Sequence, residues 1–513
     1  MHSFDSISLL YKMHFGVTPV AIESLSAAGS NRKYYLITAQ EGRTPLHAVA
    51  TYGCDTEENK AFISLSRHFK GKGLPVPAVF CESDDSQYYL QEYLGNTSLF
   101  DFIAGGRLNG QFSSEELDKV EECVRMLPHF QIEGADGLDF DKSCIVSAMN
   151  ANMIANDLNY FKYCFLKSSG LEYSEKRLDF ELGHLASIIE AVVDKADTFM
   201  VRDFQSRNIM LCNGKPYLID FQGGRKGPLE YDLASFLWQA KAKFTDDIKR
   251  DMIAAYVDEA KVVDANFSVD KFCESLPYFV LFRILQTLGA YGFRGWSEHK
   301  PHFLQSLPAG VKGLVDFFDC TILPSFKDVS VRFPYLKELA NRLHSSSRIV
   351  DIETVAGLQC FSGLTLMVSS FSYKRGVPYD LSGNGGGFVF DCRGIQNPGK
   401  YDEYKPLTGL DLPVIRFIED NGEIYQFLLC CEALVEASVK RYLERGFTSL
   451  SVAFGCTGGC HRSVYSAQAL GKYFAEKYPE VRVVVNHREQ RKLFVFNDFK
   501  QSETRNATDV ADI

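Results

Sequence analysis

The sequence predicts a bilobal α+β fold followed by a separate α/β domain with a strand–phosphate loop–helix motif. Three observations predict it. Residues 21–94 place short apolar strands around one helix, residues 98–343 are mainly helical by apolar spacing, and strand and helix patterns alternate beyond residue 361. A shift of spacing at Ser345, Ser346 and Ser347 marks the boundary. The expected division is 1–345 for the first domain, 346–360 for a linker, 361–500 for the second domain and 501–513 for a polar tail. A hydrophobic content of 46% with 23% charged residues is that of a soluble globular chain. No apolar run spans a bilayer, and the first residues lack the basic start and apolar core of a signal peptide. The 14 Cys are scattered through apolar segments without zinc-finger spacing, which points to reduced thiols and a cytoplasmic location. A net charge of −10 argues against broad nonspecific nucleic-acid binding.

Taken in order, residues 21–25 (AIESL) and 34–38 (YYLIT) read as strands joined by a loop holding Gly29, Ser30, Asn31 and Arg32. Such a loop can lay backbone N–H groups over phosphates, although one glycine serves an ordinary hairpin equally well. A third strand covers 47–52 (HAVATY), and a helix opens with Thr56 as its N-cap and Ala61, Phe62 and Leu65 on its apolar face. Residues 74–80 and 88–94 read as two further strands. This is the order of the small lobe of a protein-kinase-like fold: sheet, one helix, two strands, hinge. The apolar stripes of residues 117–126 and 153–165 read as core.

Residues 199–221 read FMVRDFQSRNIMLCNGKPYLIDF. Asp203 is followed five residues later by Asn208, then by an apolar hairpin that ends at Asp220. Phosphoryl transfer to a hydroxyl needs one carboxylate to orient the hydroxyl, and an amide with a second carboxylate to hold Mg²⁺ on the phosphates. The competing reading is two surface aspartates in a hairpin.

With its flanks, this stretch resembles the aminoglycoside phosphotransferase and choline-kinase-like superfamily. It is most similar to cell-wall sugar kinases acting on the anomeric hydroxyl of N-acetylmuramate or N-acetylglucosamine. The resemblance covers about residues 5–345 and rests on Gly29 to Arg32, on LQEYLG at 90–95, on RDFQSRNIM at 202–210, on DFQGG at 220–224 and on YDLAS at 231–235. It implies ATP and Mg²⁺ as cofactors and a small sugar as substrate. Asp203 would orient the sugar hydroxyl, and Asn208 and Asp220 would hold the metal. Gly29, Ser30, Asn31 and Arg32 would cover the phosphates, and the backbone of Gln91, Glu92 and Tyr93 would meet adenine. Asp232 would tie the catalytic loop from below, and Arg207 reads equally as a phosphate contact or a solvated charge. Two departures stand out. Val201 occupies the place of the family's His two residues before the Asp, and strand 47–52 lacks the usual Lys. Without that Lys, Glu57 and Glu58 read as solvent-facing.

In the second domain, residues 364–371, 388–391, 450–454 and 481–485 read as strands, and 428–442 and 463–478 as helices. Between strand and helix lies GCTGGCHRSV at 455–464. A buried strand entering a glycine loop and then a helix aims N–H groups at one point, an anion site. Gly458 and Gly459 fit such a loop, His461 adds a donor, Arg462 a bidentate fork, and Ser463 opens the helix. Cys456 with Arg462 and Ser463 also matches the spacing of protein-tyrosine phosphatases, in which a thiolate attacks phosphorus. Residues 361–500 resemble the C-terminal domain of the RapZ-type RNase adaptor, through SFSYKRGVP at 370–378, FDCRGIQNP at 390–398, KPLTGLD at 405–411, the loop at 455–464 and HRE at 487–489. That resemblance implies a sugar-phosphate ligand cradled by Thr457, Gly458, Gly459, His461 and Arg462, with Arg393 nearby. Gly399 stands where the family often has His. RNA is a further partner that the resemblance raises. The domain carries 17 Lys+Arg against 15 Asp+Glu, so a local patch of Lys374, Arg375, Arg488, Arg491 and Lys492 would have to supply the contact.

The expected function is an Mg²⁺/ATP-dependent kinase for an amino sugar or cell-wall sugar, joined to a sugar-phosphate-sensing domain. The alternatives are a regulatory adaptor with a weak or inactive kinase-like domain, binding RNA or protein, and a Cys456-dependent phosphatase.

Overall fold

A computed structural model describes residues 2–25, 32–41, 44–358, 361–384 and 386–497. The chain divides into two compact units. One holds Met1–Tyr163, Tyr173–Ala290 and Ala309–Asn341, and the other Cys164–Glu172, Tyr291–Pro308 and Arg342–Ile513. Three short segments of the expected first domain, 164–172, 291–308 and 342–345, are thus grouped with the second unit. The expected linker carries a helix, Ser347–Ala356.

The first unit opens with a helix, His2–Phe15, to which the sequence analysis assigns no element. Its Ile7 and Tyr11, one turn apart, are buried against Tyr35, Ile37, Ala39, Ala48, Ala50 and Leu90 of a five-stranded antiparallel sheet. The strands are β1 (Ala21–Leu25), β2 (Lys33–Glu41), β3 (Thr44–Tyr52), β4 (Val79–Glu82) and β5 (Tyr88–Glu92), in the order β1-β2-β3-β5-β4. Helix Thr56–Gly71 follows β3. Its N-cap is Asp55, which accepts from the N–H groups of Glu57 and Glu58, one residue before the expected Thr56. β4 starts at Val79 rather than 74 because Pro75 and Pro77 have no N–H to give a ladder. Their carbonyls instead accept from Leu218 N–H and Ser66 Oγ.

The rest of this unit is mainly helical, with two small β pairs that carry the functional stretch. β6 (Phe199–Met200) pairs with β9 (Arg225–Lys226), and β7 (Ile209–Cys212) with β8 (Lys215–Leu218). The β7–β8 turn places Asn213 and Gly214 at φ 52° and 76°, the conformation an Asn-Gly hairpin requires. Helix and functional stretch meet in an aromatic cluster. Phe221 stacks on Phe62 at 4.8 Å and meets Phe69 edge-on at 5.6 Å, and Phe69 also meets Phe130 and Phe199 at 5.4 and 5.1 Å.

The second unit holds a five-stranded mixed sheet: β10 (Thr365–Ser372), β11 (Phe388–Asp391), β12 (Ser449–Cys456), β13 (Arg482–His487) and β14 (Lys492–Phe496). The order is β11-β12-β10-β13-β14, parallel except for β14. β14 and helix Leu412–Asp420 are additions to the expected elements. Helix Arg462–Lys477 packs across β10, β12 and β13. Register sets Ser372 opposite Cys456 and Ser370 opposite His487, so the carboxyl ends of three parallel strands converge. Ligands of open α/β sheets bind at such ends. Among the described residues no helix is long and apolar enough to cross a membrane.

Phe69 is fully buried at the centre of the aromatic cluster. Phe69→Ala should lower the unfolding free energy of the first unit by about 3–5 kcal/mol, read from urea unfolding followed by near-UV circular dichroism.

Candidate active site

The loop that carries Asp203 is held from beneath by one side chain. Asp232, on helix Leu229–Leu237, is fully buried. It accepts the N–H groups of Val201 and Arg202 at 2.8 Å each, and Gln131 Nε2 at 2.9 Å. Gln131 is itself fixed by Tyr256, whose hydroxyl donates to its Oε1 at 2.6 Å. Burial lifts the Asp232 carboxyl to about 7, against the pull of these donors. Arg202 takes φ 74°, a left-handed conformation for a non-glycine residue. Val201 is buried, and the loop it belongs to is anchored through backbone N–H groups rather than through a side chain at that position.

Asn208 Nδ2 donates to the Asp203 carbonyl at 2.9 Å, and its own carbonyl accepts from Ile219 N–H at 2.9 Å. These bonds stitch Asp203 to the hairpin that delivers Asp220. Asp220 also has a positive φ, 60°. Gln222 Nε2 donates to its Oδ1 at 2.8 Å. Burial raises the Asp220 carboxyl, Gln222 opposes this, the nearby charge of Asp203 raises it further, and Arg32 draws it down. The free oxygens suit a hard cation. Asn208 keeps Oδ1, and Asp220 keeps Oδ2, without a protein partner among the described residues. Mg²⁺ is held in this way, by one or two protein oxygens together with substrate phosphates. Among the described residues no three His, Cys, Asp or Glu side chains gather into an all-protein cage.

Gly29, Ser30 and Asn31 lie outside the described residues. Arg32 is 4% exposed, and its Nη2 stands 3.3 Å from Glu58 Oε2. Glu58 is therefore an ion-pair partner as well as a partly solvent-facing residue. The cation comes from the start of β2 instead of from β3, where Thr51 is buried and accepts Gln91 Nε2 at 3.0 Å. Gln91 and Glu92 belong to β5, and Glu92 N–H is used on Ala78 O while its carboxylate takes Ala78 N–H and Lys70. Of the three expected hinge residues, Tyr93 alone lies past the strand. Arg207 is exposed and lies over the Phe100 ring at 4.6 Å.

In the second unit, Gly459 at φ 70° turns the loop between β12 and helix Arg462–Lys477. A Cβ there would stand 2.5 Å from Glu489 Cγ and 2.8 Å from Ser372 N, so only glycine fits. Ser372 Oγ donates to Thr457 O at 2.7 Å, and Gln490 Nε2 to Gly459 O at 3.0 Å. Among the described residues, the N–H groups of Gly458, Cys460, His461, Arg462 and Ser463 reach no protein acceptor. The helix N-terminus has no side-chain cap. Arg462 is 5% exposed and spends Nη1 on the carbonyls of Arg393 and Ile395, at 2.9 and 2.8 Å. Its Nε is buried without a partner, which leaves the Nε–Nη2 edge of the guanidinium as the fork. Cys456 Sγ accepts Gly459 N–H at 3.2 Å and lies 3.1 Å from Ser463 Oγ.

Three expected contacts are placed differently. His461 Nε2 bonds the Tyr404 carbonyl at 2.9 Å, and its ring edge borders Gly399. A neutral ring donating there has no N–H left for a phosphate. The Arg393 side chain is engaged with Asp391 through Nε and Nη2, so its carbonyl, not its guanidinium, faces Arg462. The expected basic patch is broken up. Arg488 is buried and donates Nε and Nη2 to Glu489, Arg375 pairs with the same carboxylate, and Arg491 donates to Ser345 O. Lys374 and Lys492 stay exposed. The sequence analysis missed Gln131, Arg225 and Asp157. These polar residues sit in helical or strand patterns, and no local spacing marks them.

Two carboxylates and an amide on a braced loop below an antiparallel lobe define a phosphotransferase-type domain, and the glycine loop defines a second, α/β domain. Residues 21–264 match the family model described as the phosphotransferase enzyme family, and residues 364–491 match the RapZ C-terminal domain. The chain thus carries a domain of each. It is 42% identical over 128 residues to a nucleotide-binding protein of Paraburkholderia phymatum, covering 25% of this chain and 40% of that protein. A nucleotide-binding protein of Aromatoleum aromaticum is 36% identical over 148 residues, 29% of this chain and 48% of that one. The chain therefore spans less than half the length of these curated relatives. Among solved structures, a choline kinase from Cryptosporidium parvum aligns with TM-score 0.45 and 11% identity over 64% of this chain and all of that one. The gentamicin complex of APH(2")-IIa aligns with TM-score 0.40 and 15% identity over 60% and 94%.

Asp232 supplies a pH test. Its carboxyl, at about 7 in the folded chain against an ordinary 3.8, binds an extra proton in the folded state between those values. Its contribution to stability is full below the ordinary value and is lost as pH rises through the folded one. The unfolding free energy of the native chain, less that of Asp232→Asn, should therefore fall between about pH 4 and about pH 7 in urea melts. In the second unit, Arg462→Lys removes the planar fork. Affinity for a sugar phosphate should drop about tenfold or more, read by isothermal titration calorimetry.

Proposed function

We propose that the chain is an ATP- and Mg²⁺-dependent small-molecule kinase that phosphorylates a hydroxyl of an amino sugar or cell-wall sugar. Its second domain binds a sugar phosphate. The observation that carries the reading is the joint fixing of Asp203, Asn208 and Asp220, with the loop backbone anchored on Asp232. Asp203 orients the acceptor hydroxyl and takes its proton, while Asn208 Oδ1 and Asp220 hold the metal. Bound Mg²⁺ neutralises phosphate charge during transfer. Arg32, steadied by Glu58, adds positive charge near the same carboxylates. The free N–H groups at Gly458, Cys460 and Arg462, with the open guanidinium edge, support phosphate binding in the second domain.

A second reading, a Cys456-dependent phosphatase, is favoured by the bond from Gly459 N–H to its sulfur and by the hydrogen bond between that sulfur and Ser463 Oγ. An unchanged phosphatase background in Cys456→Ser excludes it.

The test of the kinase reading is ADP release with N-acetylmuramate, N-acetylglucosamine and glucosamine. At least one sugar should be turned over, and Asp203→Asn should lower kcat by about 10²–10⁴-fold while ATP binding persists. Retained nucleotide binding with no turnover of any sugar would sink the reading.

A further inference from the structure

We propose that the acceptor used by the Asp203 loop carries an anionic group, a carboxylate or a phosphate, that sits against Arg202. The inference rests on the kinase reading above and narrows its substrate class.

The site is built around Gly223. A Cβ at Gly223 would lie 3.9 Å from both Arg202 Cδ and Asp203 Oδ2, so Arg202 and the catalytic carboxylate border the same spot. Two residues on, Arg225 is 4% exposed and wraps back onto Gly223, donating Nε and Nη2 to its carbonyl at 3.2 and 2.9 Å. The remaining edge of Arg225 ends on a thioether, with Nη1 3.0 Å from Met153 Sδ. Neither arginine has a carboxylate within ion-pair distance among the described residues. They repel one another, and burial with that repulsion lowers Arg225 to about 10. A third arginine, Arg283, is spent on the hydroxyls of Tyr231 and Ser235, both at 2.9 Å, and on Gln286.

Besides Asp203, Asp157 faces this group. It lies on helix Ala151–Tyr160, accepts Gln286 Nε2 at 2.9 Å and makes no ion pair among the described residues. Burial raises its carboxyl, which weakens it as a counter-charge. Asp203 is committed to the hydroxyl. Buried guanidinium charge without a paired anion is costly, and the deficit is removed when a ligand supplies the anion. Arg202, half-exposed at the loop surface, makes the contact, and Arg225 adds field from behind. Asp157 Oδ1 remains to accept a hydroxyl or amide N–H of the same molecule. Cationic acceptors meet like charge here.

The test is calorimetric binding to the full chain of three ligands on one scaffold: N-acetylmuramate, N-acetylglucosamine 6-phosphate and N-acetylglucosamine. ADP release is measured in parallel. At least one anionic ligand should bind about tenfold or more tightly than the neutral sugar, the fold-change of one charge-assisted hydrogen bond. That preference should vanish in Arg202→Gln and partly return in Arg202→Lys, with ATP affinity unchanged. Binding that survives in Arg202→Gln belongs to the second domain's loop and counts against the inference. Equal or absent binding of all three, or a preference untouched in both Arg202→Gln and Arg225→Gln, overturns it. An Arg202-dependent preference without ADP release keeps this inference and removes the kinase reading. ADP release with the neutral sugar alone does the reverse.

Discussion

The first unit depends on a single buried carboxylate. Asp232 is fully buried and has no ion-pair partner among the described residues, so its lone pairs must be met by donors or its burial is prohibitive. Two of the donors are consecutive backbone N–H groups, those of Val201 and Arg202. Meeting the acid therefore forces the backbone to turn at Arg202 into the left-handed region, and that turn presents Asp203. The third donor, Gln131, is locked in turn by Tyr256. The strained loop is thus held by a network drawn from three separate helical segments, each satisfied by the next.

The second unit solves a related problem with the opposite material. Its loop has almost no side-chain machinery of its own. The backbone is bent by Gly459 and pinned at its two carbonyls by Ser372 and Gln490, which leaves the N–H groups facing outward. The one side chain that joins them, Arg462, is divided between two tasks. One edge ties the segment at Arg393 and Ile395, and the other stays open.

The fold class and the functional stretch were legible because their signals are local. Asp203, Asn208 and Asp220 are spaced by a loop and a tight hairpin, and Asn213-Gly214 encodes that hairpin directly. The two sheets follow from short apolar runs bounded by turns. What was not legible depends on distant pairings. Arg32 finds Glu58 across a strand and a helix, an ion pair that no local spacing announces. Arg488 looked like surface charge, yet its neighbour Glu489 and the end of β10 bury it. Helix His2–Phe15 was passed over because its apolar face is short, and it is stabilised by the sheet it covers. The strand expected over 74–80 begins only at Val79, because Pro75 and Pro77 offer a ladder no N–H.

The two candidate acids of the first unit are anchored by different means. Asp220 is followed by Phe221, whose ring is clasped by Phe62 and Phe69 of one small-lobe helix. Asp203 instead belongs to the framework of Asp232 in the helical lobe. The Asn208–Ile219 bond joins the two anchorages across the hairpin, so a change in the aromatic packing and a change at Asp232 act on opposite ends of one candidate set.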